Sequence, residues 1–69
     1  MSLNHGVQFA AGESKSGRFE GLIANNAQLV ELEFADGLTA QFLPTAGQQY
    51  FVSFNKITSV SSATGVALW

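Results

Sequence analysis

A chain of 69 residues has room for one domain and no second core, so residues 1–69 are taken as a single unit. Hydrophobic residues make up 46% of it and charged residues only 12%, against roughly 25% charged in an ordinary soluble domain. The net charge of −2 excludes a broad phosphate-binding face, and the absence of cysteine excludes disulfides and cysteine-based zinc frameworks.

No window sustains a 3.6-residue period, whereas period-two alternation and turn signals recur along the chain. Residues 6–11 alternate Val7, Phe9 and Ala11 as a first strand, and the Gly/Ser-rich residues 12–17 read as a flexible hairpin tip. A second strand is predicted over residues 18–24, with Phe19, Gly21 and Ile23 on one face. Gly21 falls where a bent strand needs a glycine. Asn25 and Asn26 then turn the chain, since asparagine tolerates left-handed backbone angles.

In residues 28–34, Val30, Leu32 and Phe34 alternate with Glu31 and Glu33, the pattern of a strand with one wet face. Asp36-Gly37, a pair preferred in type I′ hairpins, leads into Leu38, Ala40 and Phe42 on one face, with Thr39 and Gln41 on the other. Residues 44–48 form a second loop around the single proline. Residues 50–54 are apolar on both faces, as in a central strand or one covered by another subunit. A turn at Asn55-Lys56 is expected before a last strand over 57–61, and residues 62–69 read as a tail. Residues 1–5 and 62–69 are thus flexible ends or interface arms, with Trp69 packing on its own fold or on a neighbour.

Several short strands and tight turns in so few residues predict an all-β fold: a small, strongly bent antiparallel barrel of five to six strands, of the Sm or SH3 type. A domain of this size buries only about 60% of its unfolded surface and needs a supplement to its core. With no cysteine and a single histidine, His5, association with other copies is the supplement that remains. Low charge content points the same way, because it leaves apolar surface exposed.

Catalysis has no residues to stand on. Glu31 and Glu33 share a strand face with no other ligand chemistry, and their plain reading is a solvated face. No histidine is placed to activate a serine. The segment Gly12-Glu13-Ser14-Lys15-Ser16-Gly17 lacks the order of a phosphate loop, and no helix follows it. The chain is therefore expected to be no enzyme and to need no cofactor or metal. With no membrane-length apolar run and no visible signal peptide, a cytoplasmic location is expected.

Two segments carry a resemblance. Gly17-Arg18-Phe19-Glu20-Gly21-Leu22-Ile23 resembles the first motif of the Sm/LSm family and its bacterial Hfq-type relatives, where an apolar residue, a glycine and an aliphatic alternate on the bent second strand. Phe51-Val52-Ser53-Phe54-Asn55-Lys56-Ile57-Thr58-Ser59-Val60 resembles the family's closing segment of strand, one-turn connection and strand. Ala27 stands where the family commonly has Asp, Glu31 where many members have Asn, and Ser53-Phe54 where many have Arg-Gly.

The resemblance implies a homo-oligomeric ring joined by the last two strands of neighbouring copies, with Tyr50, Phe51, Val52, Ile57 and Val60 at the interface. It further implies single-stranded RNA, or DNA, as partner, held by Asn25, Asn26 and Gln28 from one loop and Phe54, Asn55 and Lys56 from another. Amides read base edges, a ring stacks and a lysine neutralises phosphate. Beside that stands a plainer reading, with the asparagines as a turn, Phe54 in the core and Lys56 solvated. Two other functions fit the composition: a structural or assembly ring protein, as in viruses or phages, that binds only protein, and a monomeric SH3-like adaptor.

Overall fold

The computed structural model describes residues 4–69. It is all-β, a single antiparallel sheet of six strands: β1 (Gly6–Phe9), β2 (Ser14–Ala24), β3 (Val30–Glu33), β4 (Thr39–Phe42), β5 (Gln49–Ser59) and β6 (Gly65–Leu68). In space they run β1-β6-β2-β5-β3-β4. The two 11-residue strands lie at the centre, with a pair of four-residue strands on either side.

That arrangement splits the sheet into two halves that share β2 and β5. The C-terminal half of β2 pairs with β6 through Gly21↔Leu68 to Ala24↔Gly65, and β6 pairs with β1. The C-terminal half of β5 pairs with β3 through Val30↔Ser59 to Glu33↔Lys56, and β3 pairs with β4. The halves fold over a core of Phe9, Phe19, Leu22, Val30, Leu32, Phe54, Ile57, Ala63 and Ala67. The Phe19 and Phe54 rings meet there with centroids 5.1 Å apart.

The long strands bend because each changes phase along its length. The β2–β5 register shifts between Ser16 and Phe19 and again between Phe19 and Gly21. An extra residue in a ladder flips which face the later side chains take. Phe19 and Leu22 both point inward although three positions apart, as do Phe54 and Ile57, and each change of phase falls at one of these register shifts. This corrects the expected face of Phe19, Gly21 and Ile23: beyond the bulge Leu22 and Ala24 are buried and Ile23 turns outward.

The all-β expectation holds, but the sheet is not closed into a barrel. The edge strands β1 and β4 lie at opposite ends of the strand order. Each is only four residues long and, among the described residues, pairs with its inner neighbour alone, so no described strand closes the seam. The expected loop over residues 12–17 shrinks to a turn at Ala11-Gly12, with Gly12 at φ 79°, and residues 14–17 belong to β2.

Asn55-Lys56 is no turn either. It lies inside β5, where Lys56 is bonded between Glu33 and Ser16, so the two expected strands are one. Nor is 62–69 a tail: β6 sits between β1 and β2 in the sheet. Of the expected flexible residues 1–5, residues 1–3 lie outside the described residues, and His5 exchanges backbone hydrogen bonds of 3.1 and 3.0 Å with Trp69.

The Asp36-Gly37 hairpin forms, with a different turn. Phe34 N–H donates to Leu38 O and Gly37 N–H to Phe34 O, both at 2.9 Å, which encloses three residues rather than two. Type I′ needs positive φ at both central residues. Only Gly37, at φ 86°, supplies it, and Asp36 instead accepts a hydrogen bond from Leu38 N–H at 3.1 Å on Oδ1.

Candidate functional site

The six residues expected to hold nucleic acid do not share one surface. Asn26 is committed to the fold. Its Nδ2 donates to Ser62 O at 2.9 Å and its Oδ1 accepts from Thr64 N–H at 3.2 Å, tying the β2–β3 turn to the β5–β6 connection. Asn25 N–H adds a backbone bond to Thr64 O at 2.9 Å, while the side chains of Asn25 and Gln28 are exposed. Phe54 is 1% exposed against Phe19, so its ring has no face for a base to stack on.

Asn55 is exposed on β5, and Lys56 faces outward between Glu33 and Ser16. Glu33 pairs with Lys56 and Val30 with Ser59, so Lys56 stands four or more positions from the turn, roughly 13 Å at the rise of a strand. The outward face around Lys56 holds Glu31, Glu33, Thr58 and Gln41 in register, and two carboxylates against one ammonium repel phosphate.

The five expected interface residues divide as sharply. Ile57 is 0% exposed in the core, because β5 is flanked on both sides and has no edge to offer there. Tyr50 and Val52 are half-buried against the core cluster. Tyr50 is also held from outside: its hydroxyl accepts from Thr45 N–H at 2.8 Å, and its ring meets Phe42 edge-on at 4.8 Å. The Thr45 side-chain and backbone hydrogen bonds hold the phenol below its ordinary range. Only Phe51, 76% exposed, and Val60, 46% exposed, are free for contact.

Phe51 belongs to a surface that alternation alone did not reveal. Register places Gly6, Leu68, Gly21 and Phe51 in one row across four strands, and Gln8, Val66, Ile23 and Gln49 in the next. On β6, Gly65 and Ala67 are buried while Val66 and Leu68 face out. A Cβ on Gly6 would meet Val66 Cγ1 at 2.8 Å and Leu68 Cδ2 at 3.2 Å, so these two chains lean over the edge glycine. The result is an outer sheet face of Ile23, Phe51, Val66 and Leu68 without a charge in either row. Glu20, whose carboxylate accepts the Ser53 hydroxyl at 2.6 Å, stands at its rim.

The other half-sheet is the opposite. Its outer rows read Thr39, Glu33, Lys56, Ser16 and Gln41, Glu31, Thr58, Ser14. One outer face is therefore polar throughout, and the other is uncharged with an apolar centre edged by Gln8 and Gln49.

Among the described residues no three His, Cys, Asp or Glu side chains gather as a metal site. No helix there is long and apolar enough to cross a membrane. No family model matches the sequence, and no curated protein or solved structure matches it either.

Proposed function

We propose that the chain is a non-catalytic, self-associating structural module whose copies pack through the outer face centred on Phe51. The observation that carries this reading is a phenylalanine 76% exposed on a central strand, within two cross-strand rows that contain no charge. Surface of that kind is rare on a monomer and usual at an interface.

A second copy is the occupant that fits. A face of this size on a chain of 69 residues answers the shortage of core that so short a sequence has. Two such faces related by a twofold axis bring the same apolar rows together, with sheets about 10 Å apart. Free edges support association as well. β4 is an uncharged edge strand flanked by Leu38 and Leu43, 67% and 64% exposed, without the lysine or bulge that guards most edges.

This reading keeps the oligomer expected from the sequence and, of the five expected interface residues, builds its contact on Phe51 rather than on Ile57 and the strand edges. It corresponds to the assembly-protein alternative rather than to an RNA-binding ring built on Phe54 and Lys56.

Light scattering on the purified chain, from low micromolar to near-millimolar concentration, tests it. A mass at least double the 7.3 kDa of one chain is expected. A single-chain mass at the highest concentration overturns the proposal.

A further inference from the structure

The open sheet has two seams in equivalent places, and they differ in chemistry. Beside β4, a hollow of about 300 Å³ is walled by Leu32, Phe34, Phe42, Tyr50 and Val52 and contains no charged residue. Its counterpart lies where β1 and β6 end against the N-terminal half of β2, with a volume of about 410 Å³. Val7, Phe19 and Trp69 line it, together with Lys15 and Arg18. Two of the chain's three cations stand at this one hollow, and no acidic residue lines it.

The aromatic wall is ordered. Trp69 is 43% exposed and stacks on His5, centroids 5.6 Å apart and planes 15° from parallel. Phe19 meets the same indole edge-on at 5.7 Å and 65°. The third side is backbone. β2 pairs with β6 only over Gly21–Ala24, so among the described residues the peptide groups of 14–18 have no strand partner on that side. A planar apolar wall, two cations and a row of open peptide groups converge on a volume within the usual range for small-ligand sites.

We infer that this hollow binds a single nucleotide unit, the base against the Trp69 indole, which His5 backs from behind, and the phosphate between Lys15 and Arg18. Bases stack on aromatic rings whatever their sequence, and open peptide groups can satisfy base edges. A net charge of −2 gives no general attraction for polyanions, so the affinity is local to these two cations. The unit can come from a free nucleotide or from a single strand. The inference does not depend on self-association, because none of Ile23, Phe51, Val66 or Leu68 lines the hollow.

Trp69 is the only tryptophan, so its fluorescence reports this site alone. The full chain is titrated at low salt with uridine and adenosine monophosphates, short oligouridine, short oligothymidine and inorganic phosphate. Saturable quenching by the mononucleotides is expected, weakening as salt is added. The double variant Lys15→Gln/Arg18→Gln, with its circular dichroism unchanged, should weaken binding about tenfold or more, as for lost charged hydrogen bonds. Should that variant misfold, Arg18→Gln alone, at an exposed side chain, carries the same expectation in smaller measure.

Oligonucleotides that bind tighter per unit than mononucleotides identify a strand as the source, and equal affinity identifies the free nucleotide. Absence of saturable quenching by every nucleotide overturns the inference. So does quenching insensitive to salt and to the substitutions, or inorganic phosphate that binds as tightly as the nucleotides.

Discussion

Substituting Phe51 by threonine separates folding from association. The ring is 76% exposed, so the monomer should lose within about 0.5 kcal/mol, as for most surface changes. Threonine keeps the strand preference of the site, which limits the backbone contribution. The interface should feel it far more. A phenylalanine presents roughly 150–250 Å². With 76% of it available, covering the ring yields about 3–5 kcal/mol at ~25 cal/mol per Å².

Threonine retains less than half of that, so each copy loses about 2–3 kcal/mol. In a twofold contact both copies lose it, for a total of about 4–6 kcal/mol. At 1.4 kcal/mol per decade the dissociation constant should rise by roughly three to four decades. Dilution series by light scattering measure the constant, and urea melts of the dissociated protein measure the fold. An unchanged dissociation constant refutes the placement of the contact on this face. A collapse of monomer stability refutes the claim that the ring is outside the core.

Three other expectations test the fold that presents this face. Gly65→Ala should cost about 3 kcal/mol, because an added Cβ would run into the Ile23 carbonyl and lie 3.0 Å from Phe9 Cζ. Thermal melting should show a drop of more than ten degrees, and a loss under about 1 kcal/mol would mean the β2–β6 approach is looser than described. Ser59 is 3% exposed with no partner for its hydroxyl, so Ser59→Ala should gain about 1 kcal/mol, read as a higher urea midpoint at unchanged slope. A lower midpoint would reveal a partner for that oxygen.

Tyr50, the single tyrosine, should titrate below its ordinary 10.0 in an absorbance titration of the folded chain, and Thr45→Ala should move it back upward. Its folded-state value is depressed, so the linked stability is absent at neutral pH, grows through the window between that value and 10.0, and is full above it. A midpoint at or above 10.0 would show that the Thr45 contacts do not form in solution.

The strands were legible where one face is wet and the neighbouring turn is strong. Val30, Leu32 and Phe34 against Glu31 and Glu33 gave β3, and Asp36-Gly37 gave the hairpin, because alternation and a positive-φ glycine are local properties. What stayed hidden depends on pairing. Nothing in Phe19-Glu20-Gly21-Leu22 announces the register shift there, since the extra residue lies on the partner strand, between Phe51 and Phe54 of β5. Asn55-Lys56 read as a turn because two polar residues interrupt an apolar run; in the sheet they are the outward positions of a strand changing phase. The polar start of 62–69 concealed β6, whose short Gly65–Leu68 segment is a strand because β1 and β2 both hydrogen-bond to it. The exposure of Phe51 and Trp69 likewise depends on tertiary pairing, which alternation along one strand does not encode.

The strand lengths, four-four-eleven-eleven-four-four across the sheet, make the two halves topological equivalents, so their differences come from side chains alone. One outer face is charged and the other uncharged; one seam is apolar and the other holds two cations beside Trp69. A fold needs neither asymmetry, because the shared core lies between the halves and is indifferent to the outer rows. The two contact types also have different arithmetic. Packing of the Phe51 faces as proposed would be isologous and would stop at two copies, whereas pairing at the edges of β1 and β4 would leave further edges open and extend the sheet without limit unless a ring closed. The four-residue length of β4 and the buried Pro44 just beyond it, which can donate no hydrogen bond, restrict such a ladder to a few bonds. The face contact should therefore form first as copies are added, and edge pairing should only join units already made.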